Sequence, residues 1–553
     1  MNKKIMTAWQ RLIGLMKLEK KDIIQIFYYA VFSGLVSLSL PLGIQAIINL
    51  MQGAQISTSW IVLVALVTIG VAFAGALQLM QMRIIETIQQ RIFTRASFEF
   101  AYRFPKIKMS ELRNYYPPEL ANRFFDTLTV QKGFTKILID VPTTILQITF
   151  GLILLSFYHT FFIIYGISLL FLVYIVFKLT AQRGLETSLK ESKNKYKVAH
   201  WIQEIARTVI SFKSSGKTNL AITKNDSLVS DYLKARESHF KILMIQFIQM
   251  VGFKVLVTAG LLIVGGILVL NQEMNIGQFV AAEIIILLII SSVEKLILGL
   301  ESFYDVLTSL EKIGQVVDKE LENQEGVKPT FTAADFSVEL DSVSYLVPDK
   351  EEHILQNINL KINTKSRILI QGESGSGKSS LLRVIAGIIE PTKGKMYVNS
   401  LSLNGISLNY YRGNLGLSLS EETPFEGSIL ENITFGDPSI TEETVLWTLE
   451  KTGLIDFVKE QPKGLHTILY PEGKQMSNTV AKKIVLARAI AQKPKLIILE
   501  DPFDQFDAEE ANRLITFLID KKNPWGLVIV SKNRLWNSCC STLVTLKSGK
   551  ITG

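Results

Sequence analysis

The stretch RILIQGESGSGKSSLLRVIAGI, residues 367–388, decides how the rest of the chain is read. A short apolar strand runs into a glycine-punctuated turn, GxxxxGKS, and the turn opens a helix. Gly372, Gly375 and Gly377 let successive backbone N–H groups face inward as an anion-binding nest. A helix starting near Lys378 adds the positive end of its dipole. Lys378 then reaches the outer phosphates of a nucleotide, and the Ser379 hydroxyl ligates Mg2+. A chance glycine-rich turn would not carry both the strand and the helix. The nucleotide-binding candidates are Gly372, Glu373, Ser374, Gly375, Ser376, Gly377, Lys378, Ser379 and Ser380, and the implied cofactors are ATP and Mg2+.

Around this motif, short apolar strands, glycine turns and intermittent helices mark an α/β P-loop NTPase domain over 336–553, after a linker at 321–335. The preceding residues differ. At 553 residues and 48% hydrophobic, the chain exceeds one core and is more apolar than a soluble protein needs. Six stretches are long enough to cross about 30 Å of hydrocarbon, near 23–50, 60–82, 137–158, 161–178, 242–270 and 276–294. The fold class is therefore a polytopic α-helical membrane domain of six spans over 23–320, followed by the P-loop domain. Residues 1–22 read as a basic amphipathic elbow helix on the inner membrane face, and no signal-peptide pattern is present there.

Charge sets the orientation. The connections QGAQISTS, YHT and NQEMN contain no Lys or Arg, whereas the N-terminus and segments 83–136 and 179–241 are rich in both. The positive-inside rule places both termini and both long loops in the cytoplasm, and the expected location is the bacterial inner (cell) membrane. The first charges near the inner ends of spans two to six, Arg83, Asp140, Lys178, Lys254 and Glu294, fall roughly 25–35 Å from the outer ends at about 1.5 Å per residue. Lys254 thus reads as an interface residue, and Pro41 as a kink in the longer first span. Glu283 lies only about 10 Å deep on the sixth span. It lines a pathway or is hydrated near the headgroups. Gln45, Gln78, Gln81, Gln246 and Gln249 line a polar path or, the preferred reading, join helices by hydrogen bonds. The net charge of +9 comes without a basic run interleaved with aromatics, which favours a membrane surface over nucleic acid. Adjacent Cys539 and Cys540 offer neither a disulfide framework nor metal-ligand spacing and read as free thiols in a reducing compartment. The long loops read as helical throughout, with short helices at their tips, near 115–128 and 201–219.

Taken with LIILED (496–501), KKIVLARAI (482–490), PFEGSILENITFGD (424–437) and the six spans, the chain resembles the ATP-binding cassette (ABC) exporters, as a half-transporter. In flavour it is similar to bacterial peptide- and protein-secreting exporters, without an N-terminal peptidase domain. The resemblance implies a dimer, with itself or a second half-transporter. Two ATPs would be sandwiched, each between one chain's P-loop and the other's signature motif. It also implies that the loop tips are coupling helices and allows a periplasmic adaptor as partner. A domain ending at LKSGKITG reads as a minimal nucleotide-binding domain.

Matched to the family position by position, the remaining machinery is altered. Val347 stands where an aromatic should stack on adenine, and Tyr345 alternates like a strand core residue. Ser420 takes the place of the Q-loop glutamine and Asn533 that of the switch histidine. The signature is MSNTV, in which Ser477 is kept while Asn478 and Thr479 replace the glycines that allow backbone approach. Asp507 of the D-loop remains. Glu500 stands where an Asp holds Mg2+ through water, one methylene too long, and Asp501 where a Glu orients the attacking water, one methylene too short. Glu500 and Ser379 are the metal candidates; Glu500 and Asp501 are weak catalytic candidates. A displacement of roughly an ångström costs on the order of a hundredfold where geometry governs rate, as it does in phosphoryl transfer. The expectation is an exporter subunit that binds Mg·ATP and couples dimerisation to translocation with weak or absent intrinsic hydrolysis. The alternatives are an active ATP-hydrolysing exporter with unorthodox motifs, and a non-transporting membrane scaffold with a vestigial ATP site.

Overall fold

The structure is a computed structural model that describes residues 6–51, 58–332, 336–347 and 352–552. The connection predicted after the first span lies almost entirely outside these residues, as do the start of the elbow segment and part of the linker. The chain divides into two compact units. One holds the residues up to Pro105 together with Asn114–Lys319; the other holds Lys106–Arg113 together with the residues from Glu320 onward.

Among the described residues, six helices are long and apolar enough to cross a membrane, within Lys20–Met51, Thr58–Lys106, Pro117–Ser156, Phe161–Arg207, Leu220–Leu270 and Ile276–Val317 of the first unit. The first is broken between Lys20–Ser37 and Ser39–Met51. Pro41 explains the break, because its ring crowds the carbonyl of Ser37 one turn earlier and it has no N–H to return. Ahead of it, Ala8–Leu18 is a short helix closed by a reciprocal Thr7–Gln10 capping box. Arg11 of this helix pairs with Asp318 at the end of the sixth span. At its foot the buried Glu19 carboxylate accepts from Arg95 at 2.8 Å and Arg91 at 3.3 Å, so the charge is compensated.

The sixth span is the most buried, with Ala281, Ala282, Ile285, Ile286 and Ile289 fully enclosed. Close approach makes this possible. Gly133 meets Val306, and Gly184 meets the Tyr304 ring, with no room for a larger residue at either glycine. Gln246 bridges three spans, donating to Thr180 at 2.9 Å and Tyr304 at 3.0 Å. Gln81 donates to the Ile26 carbonyl (3.2 Å), and Gln45 accepts from Tyr158 (2.7 Å). These three therefore join helices, whereas Gln78 is exposed and the Gln249 Oε1 has no partner among the described residues. Lys254 pairs with Glu294 at 2.8 Å, and Glu283 is half-buried beside the enclosed face.

The long loops are not helical throughout. The helix from the second span ends at Arg103, and a 3-10 turn at Phe104–Lys106 leads to a bridge between Ile107 and Leu321. Helix resumes only as Met109–Leu112 and again at Pro117. Pro105 and the Pro117–Pro118 pair are the physical cause, since prolines start helices and cannot sit inside them without cost. The tips carry short helices, Pro117–Ala121 and Val209–Ser214.

In the second unit, five parallel strands form the central sheet in the order Thr542–Lys547, Arg367–Gln371, Gly526–Val530, Leu496–Glu500, Leu415–Ser418, with Lys550–Ile551 antiparallel at one edge. A separate antiparallel sheet orders His353–Asn363, Ser337–Leu346, Lys393–Val398 and Leu401–Ser402. Register in the central sheet aligns the strand ends. Ile370 pairs with Val530 and Val530 with Glu500, while Ser418 pairs with Leu499, so four parallel strands end at one level. The segments leaving them, from Gly372, Ser531, Asp501 and Leu419, share the carboxyl edge of the sheet, where ligands of open α/β sheets bind.

Candidate functional site

The phosphate loop leaves the strand at Gln371 and enters the helix Lys378–Ile385. Gly377 has φ 100°, and a Cβ there would meet the Ile354 carbonyl oxygen at 2.7 Å, so both conformation and space demand glycine. Gly375, at φ 83°, instead faces open space, which leaves the mouth of the loop clear. Lys378 Nζ donates to the carbonyls of Gly372 at 2.8 Å and Glu373 at 2.7 Å, so its charge is held within the turn. The Ser376 Oγ is buried with no partner among the described residues. Ser379 and Ser380 follow in the first turn of the helix, and Glu373 and Ser374 are exposed on the loop. A nest of backbone donors, a lysine and a helix N-terminus at one point fit a polyphosphate.

Across the same edge, Glu500 ends its strand with its side chain buried. Its Oε2 accepts from the Ser420 hydroxyl at 2.9 Å and, more weakly, from the Ser420 N–H at 3.3 Å. Two residues 80 positions apart in the sequence are therefore partners in space. Glu500, Ser379 and phosphate oxygens suit Mg2+, which usually takes one or two carboxylates and keeps much of its shell from substrate and water. No cluster of three or more His, Cys, Asp or Glu side chains able to hold a metal occurs among the described residues.

Asp501 follows in a left-handed conformation, φ 44°, which Asp tolerates better than most residues. Its N–H donates to the Val530 carbonyl at 2.8 Å, and its own carbonyl accepts from Lys482 Nζ at 2.8 Å. The Oδ1 is buried without a partner among the described residues. Burial raises the Asp501 pKa, Asp504 and Glu500 add to the rise, and Lys482 and Lys532 oppose it. Lys482 opens the segment KKIVLARAI, but nothing in that segment points to the Asp501 carbonyl.

Asn533 is engaged by its own local backbone. Its side chain accepts from the Leu535 N–H at 3.0 Å and caps the following 3-10 turn. Asp507 likewise caps a helix, Ala508–Ile519, accepting from the Glu510 N–H at 2.8 Å. Ser477 is the N-cap of the helix Asn478–Ala491, whose first turn holds Asn478 and Thr479. That helix packs through Ile484 and Ala487 against Ile429, Ile433 and Leu449. Among the described residues, no hydrogen bond joins Ser477, Asn478 or Thr479 to the phosphate loop. Val347 is buried, and Tyr345 is partly buried against the core. Cys539 and Cys540 are free thiols.

The family model described as ABC transporter matches residues 355–504, from within the strand His353–Asn363 to just past the two acids. A solved bacterial Atm1-family ABC exporter with ATP bound superposes with a TM-score of 0.84 at 14% identity, over 97% of this chain and 95% of that one. The chain has the ABC exporter fold and carries an ABC transporter domain. The alpha-hemolysin translocation ATP-binding protein of Escherichia coli O157:H7 is 28% identical over 267 residues, 48% of this chain and 37% of that protein. The leukotoxin translocation ATP-binding protein of Mannheimia haemolytica is 28% identical over 245 residues, 44% of this chain and 34% of that protein. The matches thus span well under two thirds of these relatives' own length. The family model lies wholly within the second unit, whereas the exporter fold extends through the six membrane helices.

Proposed function

We propose that this chain is a half-transporter of a bacterial inner-membrane exporter that binds Mg·ATP and uses nucleotide-driven dimerisation to move the membrane domain, with slow hydrolysis at its own site. Both termini and the long loops lie in the cytoplasm in this reading, and the loop tips act as coupling helices. A dimer, with itself or with a second half-transporter, supplies Ser477 and its neighbours to the opposite P-loop. One observation carries the reading. At a single edge of the sheet the phosphate cradle is intact, while Ser420 occupies Glu500 and Asn533 is turned onto its own backbone.

The chemistry belongs to these residues. The loop amides and Lys378 bind and orient phosphates; Ser379 and Glu500 would hold the Mg2+, which supplies charge neutralisation on the phosphates. Asp501, short and lacking a hydrogen-bond partner for Oδ1, is poorly placed to align a water, and no histidine assists it. Positioning dominates phosphoryl transfer, so binding outlives cleavage.

The test is the purified full chain in detergent with Mg·ATP. At a hundredfold excess over Kd, a ligand bound only by the folded state stabilises by about 2.7 kcal/mol. This stabilisation should be lost in Lys378→Ala, and turnover should stay below about 1 s−1, the lower end of the usual enzyme range. A chain that Mg·ATP does not stabilise, or one that turns over faster than this, refutes the proposal.

A further inference from the structure

The first unit holds a cavity of about 700 Å³ that the ATP chemistry does not use. It lies among the amphipathic helix Ala8–Leu18 and the third, fourth and sixth spans. Its volume falls within the ~300–1,000 Å³ of small-molecule sites. Trp9, Ile145, Phe177, Leu300, Phe303 and Leu307 give it an apolar body, and Trp9 packs on Phe303 with ring centroids 5.2 Å apart. Few polar groups interrupt this lining, and the charged ones are Lys136, Lys295 and Asp140. Lys136 Nζ donates to Ser302 Oγ at 3.3 Å, and Lys295 is exposed. The cavity thus combines a hydrocarbon-like interior with one excess positive charge.

Its place in the fold narrows the occupant. It sits where the third and fourth spans acquire their first charges, Asp140 and Lys178, beside a helix whose Trp9, Ile13 and Met16 are all exposed. Such a helix lies at headgroup depth with its apolar face in the acyl region. Trp9 belongs to both that face and the cavity wall, so hydrocarbon is continuous from bilayer to cavity. A water-soluble anion would not gain from the lining, and a neutral hydrophobe would not use the lysines.

We propose that the cavity formed by Trp9, Phe177 and Phe303, with Lys136 and Lys295, binds an anionic phospholipid of the surrounding bilayer, its acyl chain inside and its phosphate on the two lysines. Gly299 gives the means to test this cleanly. It lines the cavity, and a Cβ added there meets nothing within 4 Å, so a larger side chain such as that of Gly299→Phe can enter the space from an unobstructed root.

The delipidated full chain in detergent is titrated with phosphatidylglycerol, phosphatidylethanolamine and phosphatidylcholine of equal chain length under native mass spectrometry. A phosphatidylglycerol with a photoreactive acyl chain is cross-linked in parallel and mapped. One cation beside an anionic headgroup is worth roughly a fivefold gain, and with Asp140 offsetting one lysine that is the expected preference for phosphatidylglycerol over phosphatidylcholine. The label should map to 177–185 and 296–307 and disappear in Gly299→Phe. Lys136→Gln with Lys295→Gln, both near the surface, should abolish the preference and keep acyl binding. Equal binding of phosphatidylglycerol and phosphatidylcholine overturns the proposal, as does a label that survives Gly299→Phe or maps elsewhere. Phosphatidylethanolamine matching phosphatidylglycerol, through its ammonium on Asp140, overturns the anionic assignment. Absence of label because a second copy of the chain fills the cavity overturns the proposal as a whole.

Discussion

Shortening Glu500 to Asp tests whether Glu500 and Ser420 form one working unit at the sheet edge. The Ser420 Oγ to Glu500 Oε2 distance is 2.9 Å. Losing a methylene withdraws the carboxylate by roughly an ångström, given C–C bonds of about 1.5 Å. The gap then approaches 4 Å, beyond any hydrogen bond. A hydrogen bond to a charged group contributes about 1.5–3 kcal/mol, and burial of Glu500 leaves water little scope to replace it. Glu500→Asp alone should therefore lose about that much stability and weaken Mg-dependent nucleotide binding. Ser420→Asn lengthens the partner by one bond and supplies a donor, so combining it with Glu500→Asp restores the combined reach. The double variant should recover to within about 0.5 kcal/mol of the parent, a coupling on the scale contacting residues show. The assay is a double-mutant cycle on the full chain, with chemical-denaturation stability and binding of a fluorescent ATP analogue with and without Mg2+. Additive effects of the two changes would refute the reasoning, because they would mean that Glu500 and Ser420 do not act on each other.

Two further outcomes are expected at the same edge of the sheet. Asp501 is pushed up from 3.8 by burial first and by Asp504 and Glu500 next. The folded state therefore keeps its proton in a pH range where the unfolded chain has lost it, so this group's contribution is full below that ordinary value and falls as pH rises through the elevated one. Asp501→Asn should remove that decline, and melting curves from pH 4 to pH 8, in which the variant gains on the parent as pH rises, would display it; parallel curves would count against it. Asp501→Glu with Asn533→His returns reach and a proton-handling group to positions on the shared edge. ATP turnover should rise by an order of magnitude or more, since an ångström of misplacement costs up to about a hundredfold. Unchanged phosphate release would locate the deficit elsewhere, with the signature residues Asn478 and Thr479 the next candidates.

The sequence by itself determined what rests on local rules. Hydrophobic run length set the six membrane helices, and the GxxxxGKS turn between strand and helix set the phosphate cradle, because bilayer thickness and backbone donors impose their patterns directly on neighbouring residues. Pro41 marked the break in the first span for the same reason. It did not reveal that Pro105 and Pro117 interrupt the first long loop so that Lys106–Arg113 joins the second unit, since that depends on a bridge to Leu321 far along the chain. Nor did it show Ser420 answering Glu500, Lys482 on the Asp501 carbonyl, or Trp9 closing a cavity with Phe303. Each of these joins residues separated by tens to hundreds of positions. Only the parallel register of the sheet and the packing of the spans bring them within reach, because hydrogen bonds and van der Waals contacts act over a few ångströms of space and take no account of distance along the chain.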